Sequence, residues 1–292
     1  MRKITIYRFS PYVLLIVPIA IAFTFLILPT ILSLGLSFQS YNLTKPDKIA
    51  FIGLGNYLNF FKDPTLRISI LNSVYILVII ILFAFIGAII LALILNRIKW
   101  GRQLVLAIVI LPWALPPVVN SLLWSNIFNP TYGALNALLF KLNIIDNYVN
   151  WTNSPFLTIN LICLMLLWKT LPLMSVMVLA ALQAIPDELY EAARIDGADS
   201  FRCFLHITFP SIMPIMAIVL SISSIVALNV FDEIYVFARF RADTRSLAME
   251  AYMKAFKFLD LGYGSAIAYI LLIFGVIFSI LYLRNLYREV QF

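Results

Sequence analysis

The chain has 292 residues, of which 63% are hydrophobic and only 12% charged, with a net charge of +7 and a mean hydropathy of +0.98. A soluble domain carries about a quarter of its residues as charges, so the composition excludes one and indicates an all-α polytopic membrane protein. The positive balance calls for no nucleic acid, because basic side chains at helix ends beside anionic lipid account for it.

Taken in order, Arg2, Lys3 and Arg8 precede an apolar run from Tyr12 to Leu36. That run is too long for the h-region of a cleavable signal, and no small-residue cleavage site follows, so it reads as a first span. Runs of about 20 apolar residues, enough to cross the hydrocarbon core, number six: Tyr12–Leu34, Ile70–Leu95, Leu104–Phe128, Phe156–Leu182, Ser211–Phe231 and Gly264–Leu283. Pro112, Pro116 and Pro117 predict a kinked or partly unwound third span. Pro172 and Pro214 mark further places where spans bend, as static kinks or as points that yield. Arg97, Lys99 and Arg102 crowd the short loop between spans two and three, which places that loop in the cytoplasm. Both termini, with Arg284 and Arg288 at the second, then lie on the same side. No soluble domain and no repeat of 20 to 50 residues interrupts the pattern, so residues 1–292 read as one transmembrane domain.

Catalytic chemistry is not legible. None of the ten glycines is followed by lysine, so no Walker A loop can cradle ATP phosphates. There is no H-E-x-x-H and no G-x-S-x-G. Asp232 and Glu233 are neighbours, about 100° apart on a helix, which does not make a catalytic carboxylate pair. Cys163 in a span and Cys203 in a polar stretch, with the single histidine His206, indicate neither a disulfide framework nor a metal site. Lys169 is the one clearly intramembrane charge. It pairs with a carbonyl, snorkels, or lines a pathway. Without an acidic relay, self-powered ion coupling, as in a stand-alone secondary transporter, is disfavoured. The polar and aromatic residues of spans three to five, Asn120, Trp168, Lys169, Asn229 and Asp232, are the candidates for a solute pathway. Aromatic faces suit the C–H faces of sugars and amides suit hydroxyls.

One polar island remains, Ile185–Pro214, with Asp187, Glu188, Glu191, Asp196 and Asp199 beside Arg194 and Arg202. Pro186 suits a helix start and the acids that follow suit its positive end. Asp196-Gly197 predicts a turn, Asp199 or Ser200 a second cap, and Pro210 the exit of the second helix. By charge alone this could be a loop between spans or an amphipathic helix at the headgroups. Its residue order is more specific. Glu191-Ala192-Ala193, Gly197, Ile207 and Thr208-Phe209-Pro210 resemble the EAA motif of permease subunits of binding-protein-dependent ABC importers, with Phe209 where that family has Leu. Gly53-Leu54-Gly55-Asn56-Tyr57, Leu111-Pro112-Trp113, Ala181–Pro186 and Phe231–Tyr235 resemble its sugar-importing branch, of the maltose/trehalose and glycerol-phosphate type. The segment Phe237–Asp243 departs from it, being basic and glycine-free where that family has a Thr-Gly-Gly-Gly-Pro-like turn.

The resemblance implies six membrane helices of the MetI-like, type I importer architecture. It implies a sugar as cargo, delivered by an extracytoplasmic solute-binding protein, or glycerol 3-phosphate or another small solute carried by the same machine. Further implied are a cell-membrane location, a second related permease and a dimer of ATP-binding subunits that holds the ATP and Mg, with no cofactor on this chain. The loop 185–210 would be the coupling element. Glu188 and Glu191 would supply charged contacts, Ala192 and Ala193 close packing, and Asp196-Gly197 the turn.

Overall fold

In the computed structural model residues 15–287 are described. The start of the first span at Tyr12, the basic residues Arg2, Lys3 and Arg8, and Arg288 lie outside them. Among the described residues five helices are long and apolar enough to cross a membrane: α1 (Leu15–Ser37), α3 (Pro64–Arg97), α7 (Pro155–Gln183), α9 (Ser200–Leu228) and α11, whose apolar part is Leu261–Tyr282. A sixth crossing is counted if α4 (Arg102–Ala114) and α5 (Pro117–Ile127) form one broken span, for they meet at a bend of 94°. The break is sharper than a kinked single helix. Each residue that precedes a proline is pushed out of helical geometry, and here Leu115 and Pro116 do so in succession, with ψ of 133° and 144°.

Three further differences concern α9. The span begins at Ser200 rather than Ser211, and Pro210 does not end a helix but sits in the first turn after a π-helical segment, Phe204–Thr208. The wider turn lies where the proline removes a backbone donor and would crowd the carbonyl one turn back. The helix ends at Leu228, so Asn229 is its cap and not a residue of the span. The chain is also not purely helical. Gln39–Ser40 (β1) and Ala50–Phe51 (β2) pair antiparallel, before the short helix α2 (Gly55–Phe60). The segment between the third and fourth predicted spans contains α6 (Ala134–Lys141).

The described residues divide into two compact units, one of those up to 63 with 250–270 and one of 64–249 with those from 271 on. In the larger unit α3, α7 and α9 pack on one another, and α4 lies against α7. Helices gain no hydrophobic driving force from meeting in lipid, so close van der Waals fit must hold them. Ala84, Ala88 and Ala92 supply it as a fully buried row four residues apart along α3, facing Met174, Val178 and Leu182 of α7 and Ile212, Met216 and Val219 of α9. Gly87 belongs to the same fit, since a Cβ there would come within 2.9 Å of the Leu171 side chain. The fold therefore holds the ends of α7 and α9 in fixed relation, and the polar island joins those ends.

The smaller unit is tied by polar contacts. The Asn56 side-chain amide donates to the Ser37 and Gln39 carbonyls, at 2.9 Å each. Gly262 N–H donates to the Tyr41 carbonyl at 3.1 Å. Lys254 lies 2.9 Å from Asp63 and 3.7 Å from Glu250, with the Tyr263 ring 5.3 Å away.

Candidate functional site

The polar island folds as two helices joined by a tight turn. Pro186 is extended, and its carbonyl accepts from Leu189 N–H at 3.3 Å to open α8 (Asp187–Ile195). Asp187 and Glu188 occupy the first turn and Arg194 the last, each sign opposing the helix dipole. At the other end Gly197 N–H donates to the Arg194 carbonyl (3.1 Å) and Ala198 N–H to that of Ala193 (2.9 Å). This paired closure needs a left-handed residue after the last helical position, and Gly197 provides it with φ of +84°. The next cap is Asp199, whose carboxylate accepts from Arg202 N–H at 2.8 Å and starts α9. The Tyr190 hydroxyl meets Thr208 Oγ1 at 2.9 Å and ties the hairpin together.

What this hairpin leaves uncovered is a mixed acidic and apolar face. Glu188, Glu191, Ala192, Asp196 and Gly197 are exposed, and Ala193 is half-buried on the turn toward α9. Leu189 is 49% exposed, Phe201 66% and Ile195 86%. Beside it opens a cleft of about 670 Å³ lined by Arg97, Tyr190, Arg194, Ser200 and Thr208, among others. Large apolar side chains at the tip of a charged turn are poorly placed for bulk water, which marks a contact surface.

The pathway candidates are dispersed over two groups. Asn120 of α5 is fully buried. Its amide donates to the Met165 carbonyl of α7 at 3.3 Å, and its Oδ1 has no partner among the described residues. One turn along α5, Trp124 stacks on Phe128 (5.3 Å) and meets Trp168 edge-on (5.7 Å), and its Nε1 is likewise unsatisfied. Buried polar atoms are nearly always paired in a native protein, so these two unpaired atoms set the corner apart from the packed core around it. Lys169 is half-buried next along α7 from Trp168, close enough to Glu233 for their charges to interact. Glu233, 4% exposed, has its carboxyl raised above the usual range by burial, an effect that Lys169 opposes. Asp232, half-buried, precedes it. Asn229 is apart from the rest: it is exposed and its amide donates to Ile225 of its own helix at 2.9 Å. Trp124, four residues on from Asn120, and the buried Glu233, next to Asp232, adjoin the residues expected from the sequence.

Among the described residues no three His, Cys, Asp or Glu side chains gather as a metal site. Cys163 and Cys203 are unlinked and buried.

Comparisons with known proteins agree with this arrangement. The family described as binding-protein-dependent transport system inner membrane component matches residues 80–288. The chain is 37% identical to the sulfoquinovosyl glycerol transport system permease protein SmoG of Agrobacterium fabrum, over 93% of this chain and 89% of that protein. It is 34% identical to the trehalose/maltose transport system permease protein MalF of Thermococcus litoralis, over 94% and 92%. Among solved structures its fold is similar to a chain of a bacterial ABC transporter that imports the acidic polysaccharide alginate, with a TM-score of 0.84, 23% identity and 98% of each chain covered. This multi-pass chain thus has the permease fold of ABC importers and belongs to the family of inner membrane components of binding-protein-dependent transport systems.

Proposed function

We propose that the chain is one permease of an ATP-driven importer and forms the pathway for a mono- or oligosaccharide released by an extracytoplasmic solute-binding protein. In this reading it works beside a second, related permease and takes its energy through the hairpin 185–210, which seats in a dimer of ATP-binding subunits. ATP and Mg stay on that dimer. The reading puts both termini and the hairpin on the cytoplasmic side, and treats residues 1–292 as one functional domain although two compact units build it.

The observation that carries the reading is the hairpin. Glu188 and Glu191 are exposed on a short helix whose two ends are locked, one by Asp187 and Glu188 against the dipole and one by Gly197. A basic groove on the partner would find fixed carboxylates there, and Ala192 would let the two backbones approach closely. α8 would move as a rigid body and carry α7 and α9 with it, because their facing rows are buried in one shared core. A packed core of that kind shifts between discrete arrangements rather than deforming continuously. Asn120, Trp168 and Lys169, with Asp232 and Asn229 toward one end, would line the route. The relatives named for sulfoquinovosyl glycerol and for trehalose/maltose support a sugar-containing cargo, and the alginate transporter solved with an oligosaccharide-bound periplasmic protein supports delivery by such a protein. The test is Glu191→Lys in the assembled transporter. Uptake should be abolished with membrane insertion unchanged, and full uptake by the variant would remove the coupling role.

A further inference from the structure

We infer that the cleft around Arg239 is a subsite for an acidic substituent on the transported sugar, a carboxylate, sulfonate or phosphate. The inference rests on the permease reading above and adds a substrate class to it. The cleft measures about 480 Å³ and is built from the end of α5, the loop before α7 and the segment Val236–Arg241. That volume lies in the range of small-molecule sites, and a single hexose fills only part of it.

Charge sets the character of the cleft. Two arginines reach it. The Arg241 guanidinium is taken: it grips both carboxylate oxygens of Asp243, at 3.1 and 2.8 Å, and donates to the Thr152 carbonyl. Asp243 therefore neutralises Arg241 and fixes the wall. Arg239 is exposed and has no ion-pair or hydrogen-bond partner among the described residues. One positive charge is left over, on a residue that lines the cleft. Ser125 also lines the cleft, with its Oγ buried and unpaired among the described residues.

The backbone at Arg239 sharpens the point. Its φ is +58° and its ψ −129°, a conformation that glycine accepts and other residues resist. A glycine would sit there more comfortably. An arginine held in such a place is the kind of outlier that collects at ligand clamps, and what it adds over glycine is a cation with five donors in a planar fork, suited to an oxyanion.

The assembled transporter in nanodiscs provides the test, with binding measured for glucuronate, glucose and inorganic phosphate at low and physiological salt. Wild type should bind glucuronate about tenfold more tightly than glucose, the size expected for one charge-assisted contact, and the preference should shrink with salt. Arg239→Gly, which fits the backbone, should keep the fold and lose the preference, and Arg239→Lys should retain part of it. Equal binding of both sugars, or a preference untouched by Arg239→Gly, overturns the subsite. So does inorganic phosphate bound as tightly as glucuronate, which would mean a general anion site. A loss confined to the affinity of the ligand-free binding protein overturns it too, by making Arg239 a protein contact. In each of these cases uptake that still depends on Glu191 leaves the permease reading standing, so the two failures are distinguishable.

Discussion

Gly197 offers the sharpest perturbation of the hairpin proposed to couple transport to ATP, because its surroundings isolate one effect. A Cβ built at this position meets nothing within 4 Å, while φ is +84°. Replacement therefore costs conformational energy and not packing. For an L residue held in the left-handed region that cost is about 1–2 kcal/mol, which reduces the native turn relative to relaxed alternatives by a factor of about 5–30. Relaxing to negative φ would break the two closing bonds, Gly197 N–H to Arg194 and Ala198 N–H to Ala193, and would re-aim α8 against the Asp199 cap. The core made by the Ala84, Ala88 and Ala92 row lies elsewhere and should not notice. We therefore expect Gly197→Ala to insert at wild-type levels but to lose most uptake. Asn, which tolerates positive φ, should be milder, and β-branched Val more severe. Solute uptake normalised to the amount of permease in the membrane reads this order. Val as active as Gly, or loss of activity in step with loss of protein, would refute the reasoning.

Gly262→Ala should behave in the opposite way, for its Cβ would collide with the Gln39 carbonyl oxygen and lie 2.9 Å from Tyr41 N, both backbone atoms that cannot rotate aside. A loss of about 3 kcal/mol or more is expected, seen as a lower melting temperature in detergent and a reduced membrane yield. Glu233 makes a pH prediction. Its carboxyl starts from 4.5 and is raised in the fold, chiefly by burial. Between those two values the unfolded chain has lost a proton that the folded chain keeps, so stability falls as pH rises through the window. Glu233→Gln should flatten that slope and melt higher than wild type above it; a steeper slope in the variant would show that the Lys169 attraction dominates instead.

How legible the molecule was in its sequence depended on the range of the interactions. Local chemistry was readable. Asp199 caps, Gly197 turns and Pro186 opens α8 because each acts on residues within one turn of itself. The spans were readable because length and apolarity suffice. The consecutive prolines Pro116 and Pro117 announced a disturbance, but the 94° angle depends on what α4 and α5 pack against. Pro210 misled because a π-helical segment ahead of it absorbs the missing donor, and nothing in the local residues required that solution. The Asp63–Lys254 pair, 191 residues apart in sequence, and the Trp124–Trp168 contact across two helices need the fold before they can be seen. Among the pathway candidates, composition alone could not separate Asn120, buried with one atom unpaired, from Asn229, which serves its own helix end.

In the proposed mechanism energy enters through α8. Ala192→Cys tests it most directly, since Ala192 is exposed on that helix while the native Cys163 and Cys203 are buried. With a cysteine scanned across the facing groove of the ATP-binding subunit, oxidation of the assembled transporter should give a disulfide between the two subunits and stop uptake, and a reductant should restore it. No cross-link at any groove position, in a transporter that remains active, would contradict the account.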